Sequence, residues 1–208
     1  MADHIDKTIA VYDLIAPTYS RLVEEFALPE EREKFAHKLK LKAKILDAGC
    51  AAGRDSLFFT QKNFTVVGIE LSEKLLEIAR KKVPQATFIK QDIRHLDFDD
   101  ASFDGIWASA SLLHLKRDEV LPVLENFYRL LKTPGFLFVL VKEGYGEKLV
   151  NDLLSPQTPR KFTFFQQVEM KQYLTKAGFF IEEQKRWGER ERMPRGRDTH
   201  WLAYFAKK

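Results

Sequence analysis

Between residues 43 and 142, short apolar segments alternate with amphipathic ones at a nearly constant pitch. The apolar segments are rich in Val, Ile and Phe, which favour strands, while the segments between them repeat apolar residues at helical spacing. Such an alternation forms a parallel sheet with right-handed crossovers and helices on both faces. It predicts a doubly wound α/β fold with strands at 43–47, 64–70, 86–90, 103–109 and 136–142, and helices at 54–62, 72–83 and 120–131.

The two ends of the chain depart from this alternation. The first 40 residues predict two helical stretches separated by a break at Pro17, because proline ends most helices. Beyond residue 150 the sequence predicts a loop at 154–159, a helix at 166–177, and two strands at 179–187 and 200–206 joined by a loop at 193–198. We expect these two strands to form an antiparallel hairpin that completes a mostly parallel, seven-stranded sheet.

Composition limits the class of protein. With 208 residues, 45% of them hydrophobic and 31% charged, the chain is expected to form a single domain over residues 1–208. It has no apolar run of about 20 residues, and its first residues lack the basic and apolar regions of a secretory signal. The single cysteine, Cys50, cannot form an internal disulfide, and no Cys/His cluster has zinc-site spacing. We therefore expect a cytoplasmic protein without a metal.

The charge distribution bears on possible partners. The net charge is +4, and the local excess of Lys and Arg lies at 185–197. Nucleic-acid binding usually requires basic residues clustered on one face, whereas a solvated hairpin with charged flanks also explains this stretch. Neither nucleic acid nor a membrane is therefore expected as a partner.

The first candidate ligand-binding segment follows the first predicted strand, because doubly wound sheets bind ligands beyond the carboxyl ends of their strands. Residues 47–53 read Asp-Ala-Gly-Cys-Ala-Ala-Gly and lead directly into a helix. Small residues let the backbone approach a ligand and leave the amides of the helix N-terminus free. The alternative is a tight turn without a ligand. The segment matches neither a phosphate loop nor the Gly-x-Gly-x-x-Gly pattern, which disfavours a nicotinamide-dependent reductase.

Acidic residues follow the next two predicted strands. Glu70 lies about 20 residues beyond the loop, the spacing at which a carboxylate accepts hydrogen bonds from ribose hydroxyls. Asp92 follows the third strand, where a carboxylate can accept from an adenine amino group while a neighbouring amide donates to the ring. The alternatives are a solvated strand end for Glu70 and a turn or cap residue for Asp92. Together the loop and the acids predict a nucleotide-type site.

Several segments, in this order, resemble the class I S-adenosylmethionine-dependent methyltransferases: 47–53, 68–72 (Gly-Ile-Glu-Leu-Ser), 91–92 (Gln-Asp), 103–107 (Phe-Asp-Gly-Ile-Trp) and 131–137 (Leu-Lys-Thr-Pro-Gly-Phe-Leu). The resemblance covers roughly residues 10 to 185. Segments 107–115, 142–144 and 160–165 are similar to a bacterial subgroup of tellurite-resistance-type and uncharacterised small-molecule methyltransferases. The resemblance implies a Rossmann-like sheet in the order 3-2-1-4-5-7-6, S-adenosylmethionine as cofactor and S-adenosylhomocysteine as product.

Two positions depart from the family pattern. Ala51 replaces the middle glycine of the cofactor loop, and the order Thr133, Pro134, Gly135 lacks the second glycine of the turn before the fifth strand. The methyl group of Ala51 lies where the backbone of the family approaches the methionine part of the cofactor. We expect this methyl group to reduce affinity without abolishing binding.

Carried over position by position, the resemblance implies cofactor-binding roles for Tyr12, Tyr19, Asp47, Gly49, Cys50, Gly53, Glu70, Leu71, Asp92, Ile93 and Ser109. The loop residues surround the methionine part, Glu70 and Leu71 hold the ribose and flank the adenine, and Ser109 lies near the sulfonium. Asp92 and Ile93 hold the adenine edge. The two tyrosines resemble those of an N-terminal helical lid, here residues 1–40, although aromatic packing is the alternative for both.

The residues that would meet the methyl acceptor are less specific. His114, just beyond the fourth strand, is the candidate general base, because imidazole titrates near neutral pH. Its alternative is a packing role beneath the lid. Arg160 and Phe162, with Phe164 and Phe165, are candidates for a substrate wall that recognises an anion beside an apolar surface. A buried aromatic cluster is the competing interpretation.

We therefore expect an enzyme that transfers a methyl group to a small molecule by in-line attack on the sulfonium methyl, as a monomer or homodimer. The chain lacks the Asn-Pro-Pro-aromatic run used to methylate exocyclic amines, and it has no Pro-Cys nucleophile. The alternatives are a tRNA or protein methyltransferase and a non-catalytic S-adenosylmethionine-binding regulatory protein.

Overall fold

A computed structural model describes residues 4–26, 28–152, 155–192 and 196–208 of the chain. The helices are α1 (His4–Leu22), α2 (Pro29–Lys38), α3 (Arg54–Gln61), α4 (Glu73–Lys82), α5 (Arg117–Leu130), α6 (Gln167–Lys176) and α7 (Glu189–Arg192). The strands are β1 (Lys44–Ala48), β2 (Thr65–Glu70), β3 (Thr87–Lys90), β4 (Phe103–Ser109), β5 (Leu131–Lys142), β6 (Glu147–Asp152), β7 (Ser155–Thr163), β8 (Phe180–Gly188) and β9 (His200–Lys207). Two 3-10 turns, Val23–Phe26 and Leu112–His114, complete the described elements.

Seven strands form one sheet in the order β3-β2-β1-β4-β5-β9-β8, and β6 and β7 form a separate antiparallel hairpin. Strands β1 to β5 are parallel, while β9 runs antiparallel to both β5 and β8. With β8 and β9 counted as the predicted sixth and seventh strands, this is the expected order 3-2-1-4-5-7-6. The Rossmann-like sheet with an antiparallel C-terminal hairpin is confirmed. The β6–β7 hairpin was not predicted.

The core lies on both faces of the sheet. Ile45 and Leu46 are neighbours in β1 and are both fully buried, yet they belong to different hydrophobic clusters. This follows from strand geometry, in which successive side chains point to opposite faces. Residues of α5 and α6 cover one face, and residues of α2 and α3 cover the other. Burial on both faces explains why the parallel strands are almost continuously apolar.

The N-terminal helix differs from the prediction. α1 passes through Pro17 without ending, and the chain leaves the helix only at the turn Val23–Phe26. The expected break at Pro17 was therefore wrong. The residue before it, Ala16, is fully buried against Ala52 and Leu75. Packing of this helix face outweighs the backbone hydrogen bond that proline removes, because Pro17 itself lies on the exposed side.

The predicted loop at 154–159 is a second difference. Leu154 lies outside the described residues, but from Ser155 onwards the chain forms β7, which pairs with β6. Arg160 and Phe162 are two residues apart in β7, so both side chains point to the same side of the hairpin, where both are buried. Of the predicted loop at 193–198, residues 193–195 lie outside the described residues.

Across the part of the chain that the structure describes, no helix combines the length and apolar character that crossing a membrane requires.

Candidate functional site

A cavity of about 210 Å³ lies beyond the carboxyl ends of the parallel strands. Its floor is formed where β1, β2, β4 and β5 end, and its roof by α1, the turn Val23–Phe26 and β7. The strand order changes direction between β1 and β4, because β2 and β3 follow on one side of β1 while β4 and β5 follow on the other. This is the position at which doubly wound sheets bind ligands.

Most of the predicted site residues line this one cavity: Tyr12, Tyr19, Asp47, Gly49, Cys50, Glu70, Leu71, Asp92, Ile93, Ser109, His114, Arg160 and Phe162. Gly53 does not line it. Gly53 is instead the N-cap of α3, with φ of 76°, and its amide donates to the Cys50 carbonyl at 2.9 Å. Phe164 and Phe165 are also outside the lining, and Phe165 is buried in the core. The burial of Phe165 agrees with the competing interpretation, a buried aromatic cluster, whereas a wall role for Phe164 stays a prediction.

The loop after β1 is tied to the end of β2 by backbone hydrogen bonds. The amides of Gly49 and Cys50 both donate to the Ile69 carbonyl, at 3.0 and 2.9 Å. Gly49 has φ of 85°, and a Cβ there would lie 2.6 Å from the Ser111 Cβ, so only glycine fits. Ala51 adopts φ of 46° despite its side chain. The loop therefore keeps a left-handed backbone conformation at Ala51, where the resemblance predicts a glycine.

Glu70 fixes the geometry where β2 ends. Its Oε1 accepts from the amides of Leu71 (2.8 Å) and Ser72 (3.0 Å), and its Oε2 accepts from the Ala51 amide at 3.2 Å. Burial raises the pKa of the Glu70 carboxyl, and these three amides counteract part of that rise. An ionised carboxylate offers about four acceptor positions, so three amides leave capacity for a further donor.

Asp47 is a buried acid on the cavity wall. It is only 2% exposed and accepts a hydrogen bond from the Ser56 Oγ at 2.6 Å. Burial and the nearby negative charge of Asp55 raise the pKa of Asp47 to about 7. Asp55 shifts the other way, because the Arg54 guanidinium overcomes the effect of burial and lowers the pKa of that carboxyl. Asp47 is therefore the acid of this pair that exchanges a proton near neutral pH.

The carboxylate of Asp92 accepts hydrogen bonds from a residue of the turn that follows β3. Its Oδ1 accepts from the Arg94 amide at 2.9 Å, and the Arg94 guanidinium contacts both carboxylate oxygens at 2.7 to 3.1 Å. This is the turn role that the alternative interpretation predicts. Because Asp92 also lines the cavity, its contact with adenine stays a prediction.

Tyr12, His114 and Arg160 form a hydrogen-bonded chain at the other end of the cavity. The His114 Nδ1 lies 3.3 Å from the Lys161 carbonyl, which can only accept, so the neutral ring carries its proton on Nδ1. Its Nε2 then accepts from the Tyr12 hydroxyl at 2.9 Å. The Arg160 guanidinium donates to the same hydroxyl and lies 4.8 Å from the Tyr12 ring centroid. The hydroxyl of Tyr12 therefore lies between His114 and Arg160 and is the central polar group of these hydrogen bonds.

Several lining residues were missed by the sequence analysis: Ser111, Lys142, Trp187, Glu189, Arg192 and Trp201. Lys142 could have been found from the sequence, because it is the charged residue of the otherwise apolar segment 136–142 and it ends that segment at the edge where ligands bind. The two tryptophans lie in the C-terminal hairpin, and local sequence carries no sign that they reach this site. Among the described residues, no group of three or more His, Cys, Asp or Glu is placed to hold a metal ion.

Comparisons with known proteins agree with this geometry. Residues 45–135 match the model of a methyltransferase domain family. YqeM of Bacillus subtilis, provisionally named a methyltransferase, is 30% identical over 140 residues, which cover 65% of this chain and 57% of YqeM. An uncharacterised methyltransferase of Synechocystis (sll0829) is 34% identical over 98 residues, which cover 47% of this chain and 46% of that protein. The chain thus spans less than two thirds of the length of either relative.

A solved structure extends the comparison to the fold of the whole chain. The 1,6-didemethyltoxoflavin-N1-methyltransferase of Burkholderia thailandensis, solved with 1,6-didemethyltoxoflavin and S-adenosylhomocysteine, has a TM-score of 0.75 and is 23% identical. The match covers 100% of this chain and 91% of that one. The domain match, the relatives and the solved structure lead to one conclusion: the chain contains a methyltransferase domain and has the fold of S-adenosylmethionine-dependent methyltransferases.

Proposed function

We propose that this chain transfers a methyl group from S-adenosylmethionine to a small molecule. The observation that carries the proposal is one continuous cavity, lined at one end by the loop after β1 and by Glu70, and at the other by Arg160 and Phe162. The cofactor supplies an activated methyl group when bound. The chain then has to bind both molecules, align the attacking atom with the methyl group and exclude water.

The cofactor end of the cavity fits an adenosine group with a methionine tail. Glu70 keeps acceptor capacity for ribose hydroxyls, as its three amide contacts leave room for a further donor. The Oγ of Ser111 is buried opposite Gly49 and has no hydrogen-bond partner among the described residues, so a bound polar group would satisfy it. The residues assigned to the cofactor are Tyr12, Tyr19, Asp47, Gly49, Cys50, Gly53, Glu70, Leu71, Asp92, Ile93 and Ser109, with Gly53 acting through the shape of the loop.

The N-terminal residues 1–40 act in this proposal as a lid. α1 forms the roof through Tyr12 and Tyr19, whose rings meet edge-on with centroids 5.0 Å apart. The Arg54 guanidinium donates to the carbonyls of Val23 and Phe26 at 3.0 and 2.9 Å, which fixes the following turn to the cofactor loop. A closed roof excludes water from the reacting atoms.

Proton transfer is assigned to Tyr12 and His114, whose side chains are hydrogen-bonded to each other. The imidazole Nε2 accepts from the Tyr12 hydroxyl, so a proton leaving the acceptor can enter at the tyrosine oxygen while the tyrosine proton moves to His114. Arg160 and Phe162 are assigned to the acceptor. A cytoplasmic location and a monomeric or homodimeric state are part of the same proposal.

Labelled methyl transfer tests the proposal directly. The chain is incubated with S-adenosylmethionine labelled in its methyl group and, separately, with small metabolites, bulk RNA and protein from a cell extract. We expect label in the metabolite fraction and, at a sub-saturating concentration of S-adenosylmethionine, strongly reduced label with Glu70→Ala, while the exposed variant Lys148→Gln retains activity. Label only in RNA or protein would favour the macromolecular acceptors. Calorimetric binding of S-adenosylhomocysteine without labelling of any fraction would favour the regulatory protein, and binding of NADH alone would refute both.

A further inference from the structure

The loop after β1 has few free amides for an anion. The amides of Gly49, Cys50, Ala51 and Gly53 all donate to acceptors within the protein. A loop that opens a helix attracts anions through its free amides, so these four positions offer nothing to a carboxylate. The methionine tail of the cofactor carries both a carboxylate and an ammonium group. The ammonium group is the one that suits this wall of the cavity.

Asp47 is the buried acid that lines the cavity beside this loop. It is 2% exposed, and its Oδ2 accepts from the Ser56 Oγ at 2.6 Å. Its Oδ1 has no hydrogen-bond donor among the described residues. A carboxylate can accept about four hydrogen bonds, so Asp47 has capacity for a cationic donor from the cavity.

The two arginines near Asp47 are bound to the neighbouring acid instead. The Nε and Nη2 of Arg54 donate to Asp55 at 2.9 and 2.8 Å, while its Nη1 donates to the carbonyls of Val23 and Phe26. The Nη1 of Arg32 lies 3.3 Å from the Asp55 Oδ1. In the described part of the chain, neither arginine forms a hydrogen bond or an ion pair with Asp47. Asp55 is therefore the neutralised member of this pair of acids.

The charged and titratable groups around Asp47 oppose its ionisation on balance. They come from α2, the cofactor loop, α3 and the end of β2: Arg32, Cys50, Arg54, Asp55 and Glu70. Burial is the largest cause and Asp55 the second, and together they raise the pKa of Asp47 to about 7. The ligand-free protein therefore keeps a proton on Asp47 at mildly acidic pH.

We infer that Asp47 exchanges its proton for the ammonium group of the methionine tail, so that binding of the cofactor releases one proton. The inference rests on the proposed function, because it describes how that same site takes up its cofactor. The O–H bond of the Asp47 carboxyl breaks, the proton passes to solvent, and the carboxylate accepts a hydrogen bond from the ammonium group. Protons and the cofactor thus compete for Asp47, and affinity falls as pH falls.

Calorimetry in two buffers counts the released protons. S-adenosylhomocysteine, which carries the same tail, is titrated at pH 6 in phosphate and in imidazole, whose ionisation enthalpies differ widely. The difference between the two observed enthalpies gives the number of protons released. We expect close to one proton per ligand at pH 6, and an affinity that falls about tenfold between pH 6 and pH 5. Binding without proton release, or an affinity independent of pH, would overturn the inference.

Three further ligands locate the proton in the unmodified protein. 5′-Methylthioadenosine lacks the tail, so it reports any proton released at Glu70, whose pKa is also raised by burial. The deaminated analogue of S-adenosylhomocysteine keeps the tail carboxylate, and the decarboxylated analogue keeps the ammonium group. We expect the decarboxylated analogue to release the same proton as S-adenosylhomocysteine, and the other two ligands to release none. Equal release with 5′-methylthioadenosine or with the deaminated analogue would contradict the role of the ammonium group.

Two variants and a matched control assign the proton to a residue. Asp47→Asn should release no proton at pH 6, and its affinity should stay constant between pH 5 and pH 7. Glu70→Gln should bind more weakly but keep the proton release. Asp99→Asn, an exposed acid outside the cavity, is the control and should behave as the unmodified protein. If Asp47→Asn still releases a proton, the inference fails, and the ligand series decides the question should that variant not fold.

The outcomes separate this inference from the proposed function. S-adenosylhomocysteine that binds without releasing a proton overturns the proton exchange and leaves the methyltransferase proposal intact. Failure of the unmodified chain to bind it at any pH between 5 and 8 would instead refute the proposed function.

Discussion

Substitution of Asp47 by asparagine should change how the stability of the protein depends on pH. Asp47 is 2% exposed, and burial together with the charge of Asp55 raises its pKa from 3.8 to about 7. In the unfolded chain the carboxyl returns to its ordinary pKa. Between about pH 4 and pH 7, the folded protein therefore holds a proton that the unfolded chain has released. The free energy of unfolding must then fall as pH rises through that window.

The size of this effect follows from the shift. Each pH unit inside the window lowers the contribution of Asp47 by about 1.4 kcal/mol, so about 3 kcal/mol is lost between pH 5 and pH 8. An asparagine at position 47 does not titrate and removes this loss. The hydrogen bond from Ser56 lowers the pKa of Asp47. In Ser56→Ala the decline should therefore extend to higher pH.

Urea unfolding at pH 5 and pH 8 measures the difference. The free energy of unfolding is extrapolated to water for the unmodified protein and for Asp47→Asn at both pH values. Because the two proteins share all other titrating groups, the difference between their pH dependences is due to Asp47. Between pH 5 and pH 8 we expect the free energy of unfolding of the unmodified protein to fall by about 3 kcal/mol more than that of Asp47→Asn. An equal pH dependence of the two proteins, or a gain of stability at pH 8, would refute the reasoning.

Three further predictions follow from single contacts. Glu70→Ala should weaken binding of S-adenosylhomocysteine by about 1–3 kcal/mol in calorimetry, and an unchanged affinity would remove Glu70 from the site. Ala51→Gly relieves a left-handed φ of 46°. The relief, about 1 kcal/mol, is offset by the greater entropy of unfolded glycine, so stability should change by less than about 1 kcal/mol while cofactor affinity rises. A lower affinity would contradict the steric role of the Ala51 methyl group. Trp107→Phe removes the Nε1 donor that lies 2.9 Å from the buried Asp55. The substitution should lower the free energy of unfolding, measured with urea, by about 2–4 kcal/mol. A decrease below about 0.5 kcal/mol would mean that another donor replaces the indole at Asp55.

Most of the sheet could be predicted because its strands are buried on both faces and are read as nearly continuous apolar runs. The exceptions depend on contacts distant in sequence. Pro17 does not end α1, because Ala16 packs against Ala52 and Leu75. The strand that begins at Ser155 has no periodic pattern of its own and exists through pairing with β6.

The cofactor end of the site was predictable for a geometric reason. Parallel strands end at one edge, so Asp47, Glu70 and Asp92 had to meet there once the strands were recognised. The acceptor end is different, because Lys142 meets Trp201 only through the antiparallel register of β5 and β9. No local pattern specifies which residues face each other across that pair. The position of Glu189, in the four-residue helix α7, is equally hidden from the sequence.

Cys50 makes the cofactor loop observable without an added label. It is the single cysteine of the chain, it is buried, and burial raises the pKa of its thiol well above the ordinary value. An alkylating reagent can therefore reach a reactive thiolate only during transient openings of the loop. The alkylation rate in the native protein reports the equilibrium of that opening, in the same way as amide hydrogen exchange. A ligand that occupies the closed loop slows the reaction in proportion to its saturation, which yields a dissociation constant from chemistry at one sulfur atom.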